Sequence, residues 1–379
     1  MDKIAMLLPD FEEGGMPVVA SNLLSGLSKK YAVDIILIKS NRSIQFDTYN
    51  SKVIKLGEEH RFKVQKYFQK LFFAFKLRKL KKQNNYKAVI SYGVLAGMLN
   101  IISQNTKTKS ICTIHSIESV ENKQLGLSGK LFDLSLKTFF KKAFKVIGIS
   151  QGIKDDLNHE YGLNNVSTIY NPYRFDGKKL SIDNNVRNSN INLVAVSRLE
   201  KSKRIDNLIK QVQKVVSKGY KVDLWIAGDG EEAKALKELA VTLRIEKNIH
   251  FLGFIKNVHQ LMSESDFLLL DSNSEGFSNV ILESLIVGTP VISEDIYCGP
   301  REILFNLENV DYNVPLKDDI QVFNNGILCR NIYDGILYGV DHINDFNVST
   351  ELLEKKLNID AISKQYIRII DTPNYAQIE

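Results

Sequence analysis

Short apolar runs alternate with helical patterns along almost the whole chain, and this alternation constrains the fold more than any other feature. In the first half, buried strands are indicated at KIAMLLP (3–9), VDIILIK (33–39), KAVISYG (87–93), KSICTIHS (109–116), KVIGIS (145–150) and VSTIYNP (166–172). An amphipathic helix is predicted over 19–31, between the first two strands. Such alternation favours a parallel sheet with helices on both faces.

The pattern restarts after the polar stretch 175–190, which we interpret as a linker. Strands are indicated at INLVAVSRL (191–199), VDLWIAGDG (222–230), IHFLGF (249–254), FLLLDS (267–272) and PVISED (290–295), with helices near 203–218, 231–244, 256–264 and 278–287. We therefore predict an α/β protein of two Rossmann-like, doubly wound domains, 1–180 and 185–360, that face a cleft. Ligands of such sheets bind at the carboxyl ends of the strands.

Composition excludes several other classes of protein. Of 379 residues, 44% are apolar and 25% charged, which is typical of a soluble globular chain. The longest apolar runs are too short to span a bilayer, and the N-terminus resembles a first strand and not a signal peptide. Three widely spaced cysteines indicate a reducing compartment and no zinc or disulfide pattern.

Charge differs sharply between the two halves of the chain. Residues 1–180 carry 29 Lys and Arg against 15 Asp and Glu, whereas residues 181–379 carry 21 against 29. A basic half joined to an acidic half indicates two domains with different partners.

The stretch SEGFSNVILESL (274–285) predicts an anion-binding helix start. Ser278 or Asn279 can cap the helix, which leaves the amides near Gly276, Phe277 and Ser278 unpaired. Such amides, with the helix dipole behind them, suit phosphate oxygens.

Two carboxylates flank this helix start. Glu275 precedes it and Glu283 lies about one turn inside the helix. Because carboxylates repel phosphate and accept hydrogen bonds from hydroxyls, the pair predicts sugar and ribose hydroxyls beside a diphosphate. A nucleotide diphosphate sugar has this chemistry. The alternative is a capped helix with two surface acids.

The stretch SRLEKSKRIDNLI (197–209) follows a strand and opens a helix. Arg198 and Lys203 flank the turn, and both could reach one diphosphate. Fixed cations there would accelerate departure of a diphosphate leaving group. The alternative is a solvated basic loop.

Three further signals are weaker. Gly14 and Gly15 follow the first strand and permit close approach of backbone to a ligand, although most such pairs are only turns. His115 ends a strand, where a polar group could meet a reacting sugar; a satisfied, partly buried histidine is the alternative. Glu302, in GPREIL, could meet a sugar hydroxyl or simply balance a helix dipole.

Taken together, these stretches resemble glycosyltransferase family 4, a retaining group with the GT-B fold. The resemblance covers nearly the whole chain. It rests on SEGFSNVILESLIVGTPVIS (274–293), SRLEKSK (197–203), WIAGDGEE (225–232), IHFLGF (249–254), GISQGIKDDL (148–157), IYNPYRF (169–175) and GPREIL (299–304). The segment YIRII (366–370) is similar to the family's last helix, so that residues 361–379 are expected to cross back to the first domain.

The resemblance implies roles for the donor-binding residues. Glu275 would bind the donor hexose and Glu283 the ribose. Arg198 and Lys203 would hold the diphosphate, and the backbone near Phe254 would face the base. UDP is favoured over GDP as the nucleotide, from resemblance alone.

The resemblance also implies how the reaction proceeds. Gly15 and the amides around Phe277 and Ser278 would help to hold the diphosphate, and His115 would sit at the reacting centre. No metal and no other cofactor is expected, and the chain has no Asp-x-Asp run placed to hold a cation. Same-face attack by the acceptor, with the leaving phosphate helping to take its proton, is the implied mechanism.

Three departures from the family pattern limit this transfer. Ser197 replaces the usual Gly before the Arg, Arg204 replaces the usual Gly after the Lys, and Ser116 replaces the Asp of a common His-Asp pair. The first two are expected to alter only local packing.

The segment 60–87 holds ten Lys and Arg, no acid, and interleaved aromatic residues. A basic amphipathic helix of this kind can lie on anionic lipid. Residues 131–145 repeat the pattern more weakly. Nucleic acid could attract the same charge, but no RNA-binding motif accompanies it. A core-packing helix with a solvated basic face is the alternative.

The predicted function is transfer of a hexose or N-acetylhexosamine from a UDP-sugar to a lipid-linked or glycan acceptor in surface-polysaccharide synthesis. The predicted location is the cytoplasmic face of the membrane, peripherally bound. A nucleotide-sugar epimerase on the same fold is one rival, and it would turn over donor without acceptor. A non-catalytic partner subunit is the other.

Overall fold

A computed structural model describes residues 1–11, 15–39, 46–57, 63–175, 190–308, 310, 312 and 316–373, with backbone only for 63–68 and 70. Most of the predicted linker and Gly14 lie outside the described residues. The chain folds as two units, one of Met1–Arg174 with Lys355–Glu379 and one of Phe175–Glu354. Each unit is built on its own sheet.

Unit 1 contains a parallel sheet with helices between its strands. Its strands are β1 (Lys3–Leu8), β2 (Ala32–Leu37), β3 (Lys52–Lys55), β4 (Ala88–Tyr92), β5 (Lys109–Ile114), β6 (Lys145–Gly148) and β7 (Val166–Thr168). Its helices are α1 (Gly15–Leu27), α2 (Lys63–Asn84), α3 (Gly93–Ile102), α4 (Glu118–Gln124), α5 (Leu127–Thr138) and α6 (Gln151–Tyr161). The apolar runs of the inner strands β1, β2, β4, β5 and β6 are buried on both faces, as a sheet covered on both sides requires.

The strand order in unit 1 is β3-β2-β1-β4-β5-β6-β7. This is the doubly wound order, and it reverses between β1 and β4. The short edge strand β3, with the polar sequence KVIK, was not predicted. The helix predicted over 19–31 begins and ends four residues earlier, because Gly15, Met16 and Pro17 form its first turn, where proline is tolerated.

Unit 2 repeats the plan with a different edge. Its strands are β8 (Ile191–Val196), β9 (Val222–Ala227), β10 (Ile249–Gly253), β11 (Phe267–Leu270), β12 (Val291–Glu294), β13 (Ile320–Phe323) and β14 (Gly326–Cys329). Its helices are α7 (Ile205–Ser217), α8 (Ala233–Thr242), α9 (Val258–Ser263), α10 (Asn279–Ile286), α11 (Pro300–Leu304) and α12 (Ile332–Asp341).

The strand order in unit 2 is β10-β9-β8-β11-β12-β14-β13, and it reverses between β8 and β11. All pairs are parallel except the hairpin β13–β14, which sequence analysis missed. Apolar side chains of α7 at helical spacing pack on strands β8 and β9 in the core. The fold prediction of two Rossmann-like α/β domains is confirmed.

Two more helices follow, α13 (Glu351–Leu357) and α14 (Ile359–Asp371). Helix α14 packs on α1 in unit 1, and Ser363 lies so close to Gly26 that a Cβ there would be 1.9 Å from the serine hydroxyl. Asp371 accepts hydrogen bonds from Lys30 at 2.6 Å and from Lys87 at 2.7 Å. The last helix is therefore fastened to the first unit by both packing and charge.

Candidate functional site

The two loops that carry the predicted phosphate-binding and sugar-binding residues follow neighbouring strands of unit 2. Strand β8 leads into 197–204 and β11 leads into 271–278. The strand order reverses between these two strands, and a doubly wound sheet opens a crevice at such a point. A backbone hydrogen bond of 2.9 Å from Asn273 to Ser202 joins the loops directly.

Lys203 and Glu275 meet at this junction. The lysine Nζ lies 2.8 Å from the Glu275 carboxylate, and the two side chains are only 21% and 11% exposed. Lys203 ends a short 3-10 turn, Lys201–Lys203, which brings the ammonium back toward β11. The structure thus joins the predicted diphosphate ligand and the predicted sugar ligand as an ion pair.

Arg198 lies in the same loop but points to solvent. Its side chain is 74% exposed and its guanidinium lies 2.6 Å from the Glu200 carboxylate. The structure therefore does not bring Arg198 into contact with Lys203, and its role at a diphosphate stays a prediction.

Glycines in the turn after β9 hold this loop in place. An added Cβ on Gly228 would lie 1.8 Å from the carbonyl oxygen of Ser197, and one on Gly230 would lie 2.4 Å from that of Leu199. Backbone packs on backbone here, which only glycine permits. The backbone of the GDG turn after β9 therefore packs directly against the 197–204 loop.

The start of α10 differs from the prediction in one respect. Ser278 occupies the N-cap position, but with φ +56° and no capping hydrogen bond from its side chain. The predicted capping by Ser278 is therefore wrong in its chemistry, because the left-handed backbone turns the hydroxyl away from the first helical amides. Phe277 is buried, and a Cβ added to Gly299 would lie only 3.0 Å from its backbone.

Buried hydroxyls lie along the same edge. Ser272 and Ser278 are more than nine-tenths buried, and neither hydroxyl has a hydrogen-bond partner among the described residues. Buried polar atoms without a partner are uncommon in folded proteins.

The other predicted residues of unit 2 spread along this edge. Gly276 and Asn279 are half-buried beside the helix start, and Glu283 is half-buried in the second turn of α10. Phe254 directly follows β10 and is exposed. Their contacts with a donor stay predictions.

Glu302 is fully buried in the first turn of α11, where it accepts a hydrogen bond from the hydroxyl of Tyr312. Next to it, Arg301 is fastened to the Asp295 carboxylate, with Nε 2.8 Å from one oxygen. This arrangement holds α11 against the end of β12.

Sequence analysis missed a charged cluster centred on Arg204. The guanidinium lies 2.9 Å from both the Asp271 and the Glu294 carboxylates, at the carboxyl ends of β11 and β12. Burial, together with a hydrogen bond to Glu294, raises the pKa of Asp271, while Asn207 and Arg204 oppose that shift. The expectation that Arg204 alters only local packing is incomplete. The sequence signal that was available for this cluster is an acid at the end of each of two apolar strands, Asp271 and Glu294.

In unit 1, His115 lies at the carboxyl end of β5, as predicted. Its Nε2 is 2.9 Å from the Thr113 hydroxyl, and its ring stacks on Tyr92 with centroids 5.5 Å apart. Although the residue keeps some exposure, its imidazole is enclosed, and burial lowers the pKa of His115 to about 4. The side chain is therefore neutral at pH 7.

Two more residues of unit 1 each begin a helix. Gly15 is exposed and forms the first residue of α1. Glu118, which sequence analysis did not single out, is buried at the start of α4 and accepts a 2.9 Å hydrogen bond from Ser116. Burial raises the pKa of Glu118 to about 7, and the hydrogen bond from Ser116 opposes the rise.

A pocket of about 310 Å³ adjoins the 197–204 loop and is lined by Glu200, Lys201, Ile205, Asp206, Glu232 and Leu236. Its three carboxylates outnumber its one cation, so it is a poor seat for a diphosphate. Among the described residues, no group of three or more His, Cys, Asp and Glu side chains is arranged to hold a metal ion. Within the same residues, we find no helix with the length and apolarity needed to cross a bilayer.

Comparisons with known proteins agree with this fold. Residues 13–176 match the model of Glycosyltransferase Family 4, and residues 178–327 match that of Glycosyl transferases group 1. An uncharacterized glycosyltransferase of Methanocaldococcus jannaschii is 32% identical over 56% of this chain, which spans about half (53%) of that relative's length.

Two further relatives cover nearly the whole chain. The α-1,4-N-acetyl-D-galactosaminyltransferase of Campylobacter jejuni named for GalNAc-alpha-(1->4)-GalNAc-alpha-(1->3)-diNAcBac-PP-undecaprenol is 26% identical, with 98% of each chain covered. The crystal structure of Anabaena HepE in complex with UDP and glucose superposes with a TM-score of 0.75 at 17% identity, over 98% of this chain and 100% of that one.

Proposed function

The chain is a glycosyltransferase of family 4 with the GT-B fold, and from this premise we propose its reaction. It transfers a hexose or N-acetylhexosamine from a UDP-sugar to a lipid-linked or glycan acceptor in surface-polysaccharide synthesis, with retention at the anomeric carbon. No metal takes part in the proposed reaction.

The ion pair between Lys203 and Glu275 carries this proposal. It lies where the strand order of unit 2 reverses, and both side chains are largely buried. Each charge can exchange its partner for a group of the donor, the ammonium for diphosphate oxygens and the carboxylate for sugar hydroxyls. Burial strengthens both interactions relative to water.

The bonds in the proposed reaction balance without a further reagent. The bond from the anomeric carbon to the diphosphate oxygen breaks, and the diphosphate keeps the electron pair. The acceptor oxygen bonds to the same face of the carbon, and its proton passes to the leaving phosphate. Lys203 and Arg198 stabilise the charge that develops on the diphosphate.

Other residues of unit 2 complete the proposed donor site. The unpartnered hydroxyls of Ser272 and Ser278 and the amides at the start of α10 contact phosphate oxygens. Glu283 binds the ribose, and the backbone near Phe254 contacts the base. In unit 1, neutral His115 acts as a hydrogen-bonding group and not as a cation.

Relatives support the chosen donor and acceptor classes. The HepE structure contains UDP and glucose, and the Campylobacter jejuni enzyme is named for an undecaprenol diphosphate acceptor and an N-acetylgalactosamine donor group. The membrane contact in our proposal is the basic segment 60–87. Its described part includes α2, on which Leu71, Phe72 and Phe75 are exposed. The proposed location is the cytoplasmic leaflet.

Sugar transfer by the Lys203→Ala variant tests the proposal. The assay follows a labelled hexose or N-acetylhexosamine from its UDP-sugar into the lipid extract of membranes that supply the acceptor. We expect kcat/KM to fall by about 100-fold or more, because the variant lacks the ammonium group that stabilises the charge developing on the diphosphate. The matched control is Lys201→Ala, which removes an exposed lysine from the same turn and should retain activity within about twofold.

The Glu275→Gln variant should lose activity to a similar degree. Full activity in both variants would place the donor site elsewhere. Conversion of the UDP-sugar without any acceptor would indicate an epimerase, and failure to bind any nucleotide sugar would indicate a non-catalytic subunit.

A further inference from the structure

Helix α5 presents a row of leucines to solvent. Leu127, Leu131 and Leu134 are 77%, 49% and 58% exposed. At about 100° per residue, their spacing puts them within an arc of about 60° on one side of the helix. Leu136, on the opposite side, is fully buried. The row therefore points directly away from the core of unit 1.

Two further apolar residues are exposed at the ends of the helix, Leu125 just before α5 and Phe139 just after it. We call these five residues the α5 face; its members are Leu125, Leu127, Leu131, Leu134 and Phe139. Single exposed leucines are ordinary, but several exposed apolar residues grouped on one helix and its ends mark an interaction surface.

The exposed charge near the α5 face in the chain is positive. Within 123–142, five lysines are exposed, namely Lys123, Lys130, Lys137, Lys141 and Lys142. The one acid of α5, Asp133, is half-buried. It accepts hydrogen bonds from Asn122 at 2.9 Å and from Tyr161 at 2.7 Å. No carboxylate between residues 123 and 142 is exposed.

This combination of charge and apolar surface selects one occupant. We propose that the α5 face inserts into an anionic lipid leaflet, with its leucines at the boundary between headgroups and acyl chains. Lysine stems lie along apolar surface while their ammonium groups reach lipid phosphates. A second copy of the chain is disfavoured, because two such faces would bring ten lysines together without one exposed acid.

The topology of unit 1 places the α5 face in the same layer as α2. The crossovers that contain α2, α3 and α5 all advance in one direction along the sheet, so right-handed connections put the three helices on one face. Helix α3 contacts both α2 and α5. The exposed Leu71, Phe72 and Phe75 of α2 and the α5 face can therefore rest on one leaflet.

Like the proposed function, this proposal places unit 1 on a lipid leaflet. It rests, however, on residues outside 60–87 and outside the donor site. It is tested by vesicle flotation of the full chain with the triple variant Leu127→Asn, Leu131→Asn, Leu134→Asn. Vesicles are phosphatidylcholine alone or phosphatidylcholine with 40% phosphatidylglycerol. The matched control is Val241→Asn, which changes an exposed apolar residue on α8 of unit 2.

We expect the wild type and Val241→Asn to float with the anionic vesicles and to bind the neutral vesicles at least tenfold more weakly. The triple variant should partition into anionic vesicles at least tenfold more weakly than the wild type. Since these leucines are exposed, UDP binding should stay unchanged, which separates this test from a failure of the donor site.

Other outcomes would overturn the inference. Undiminished flotation of the triple variant, with loss only in Leu71→Ser, Phe72→Ser, Phe75→Ser, would assign the contact to α2 alone. Equal binding to neutral and anionic vesicles would exclude the role of the lysines. A wild-type dimer in light scattering that the triple variant converts to a monomer, without lipid binding, would make the α5 face a protein interface.

Discussion

At the scale of single residues, Arg204 combines a backbone cost with an electrostatic gain. Its φ of +48° is a left-handed conformation that favours glycine. Glycine is the usual residue at this position in the family that the chain resembles. The guanidinium offsets this cost by pairing with Asp271 and Glu294 at 2.9 Å each. Because both acids end strands, the pairing fastens the loop that carries Lys203 to the sheet.

The variant Arg204→Gly separates these two effects. The substitution relieves the strain of the left-handed backbone, which stabilises the protein by up to about 1 kcal/mol. It also leaves two largely buried carboxylates without their cation. We expect a net loss of about 1–3 kcal/mol in the free energy of unfolding at pH 7, measured by urea denaturation. The loss should grow as pH rises through about 8, the value to which burial and Glu294 raise the pKa of Asp271, because the ionised carboxylate then lacks its cation.

Arg244→Gly is the matched control for this prediction. Arg244 has a similar φ of +57°, is exposed, and forms no ion pair within the described ranges. Because Arg244→Gly relieves backbone strain and breaks no ion pair, this variant should be as stable as the wild type or slightly more stable. Equal stabilisation by both substitutions would show that the Arg204 ion pairs contribute nothing.

At this scale, residues that belong to a short motif could be predicted from the sequence, whereas the ion pairs that the folded sheet brings together could not. Glu275 and Lys203 could be named because each belongs to a short motif at the end of a strand. Arg204 could only be recorded as a departure from glycine, since its partners lie on β11 and β12. The unexpected backbone of Ser278 likewise depends on Gly299 packing against Phe277.

At the scale of elements, most apolar strands that are buried on both faces were predictable, although the buried strand β14 was missed. Central strands such as β1, β4 and β5 are continuous apolar runs, and each lies where it was predicted. The edge strands β3 and β13 were missed; each has only four residues, KVIK and IQVF, and neither is fully buried. Such short mixed runs carry no clear strand period.

Helix α14 is held to unit 1 by Asp371, and this contact predicts a pH-dependent stability. Burial alone would raise the pKa of Asp371, but hydrogen bonds from Lys30, Lys87 and Tyr31 lower it below its usual value. The stabilisation is therefore present above the unfolded-state pKa near 3.8 and is lost as pH falls below it. Asp371→Asn should cost about 1–2 kcal/mol at pH 7, and this cost should shrink steadily as pH falls below 3.8 toward the lowered folded-state pKa, in thermal or urea unfolding.

Asp360→Asn supplies the control on the same helix. Asp360 pairs with Lys29 at 2.7 Å, but both side chains are more than 60% exposed. We expect a loss of no more than about 0.5 kcal/mol at pH 7. If the two variants were equally stable, the Asp371 cluster would not fasten α14 to unit 1.

At the scale of the whole molecule, the alternation of strands and helices predicted two Rossmann-like folds, but periodicity alone did not assign the last helix. Its contacts with α1 join opposite ends of the chain, and only the family resemblance pointed to them. Charge also follows this division, because the basic half forms most of unit 1 and the acidic half most of unit 2.

The chain has one tryptophan, Trp225, and it reports on unit 2 alone. It lies on β9, stacks on His250 with ring centroids 4.1 Å apart, and donates a 3.0 Å hydrogen bond to Asn192. Its fluorescence should therefore follow the unfolding of unit 2, whereas far-UV circular dichroism follows both units.

This reporter allows the donor site to be assigned to one unit. UDP at 100 times its Kd should stabilise the unit that binds it by about 2.7 kcal/mol. In urea, we expect the Trp225 transition to move upward by about 1 M, since typical slopes are 1–3 kcal/mol per M. Lys203→Ala should abolish this shift, while Asp371→Asn should move only the part of the dichroism transition that belongs to unit 1. A Trp225 transition that ignores UDP while the dichroism shifts would place the nucleotide in unit 1. A Trp225 transition that follows Asp371→Asn would show that the two units unfold together.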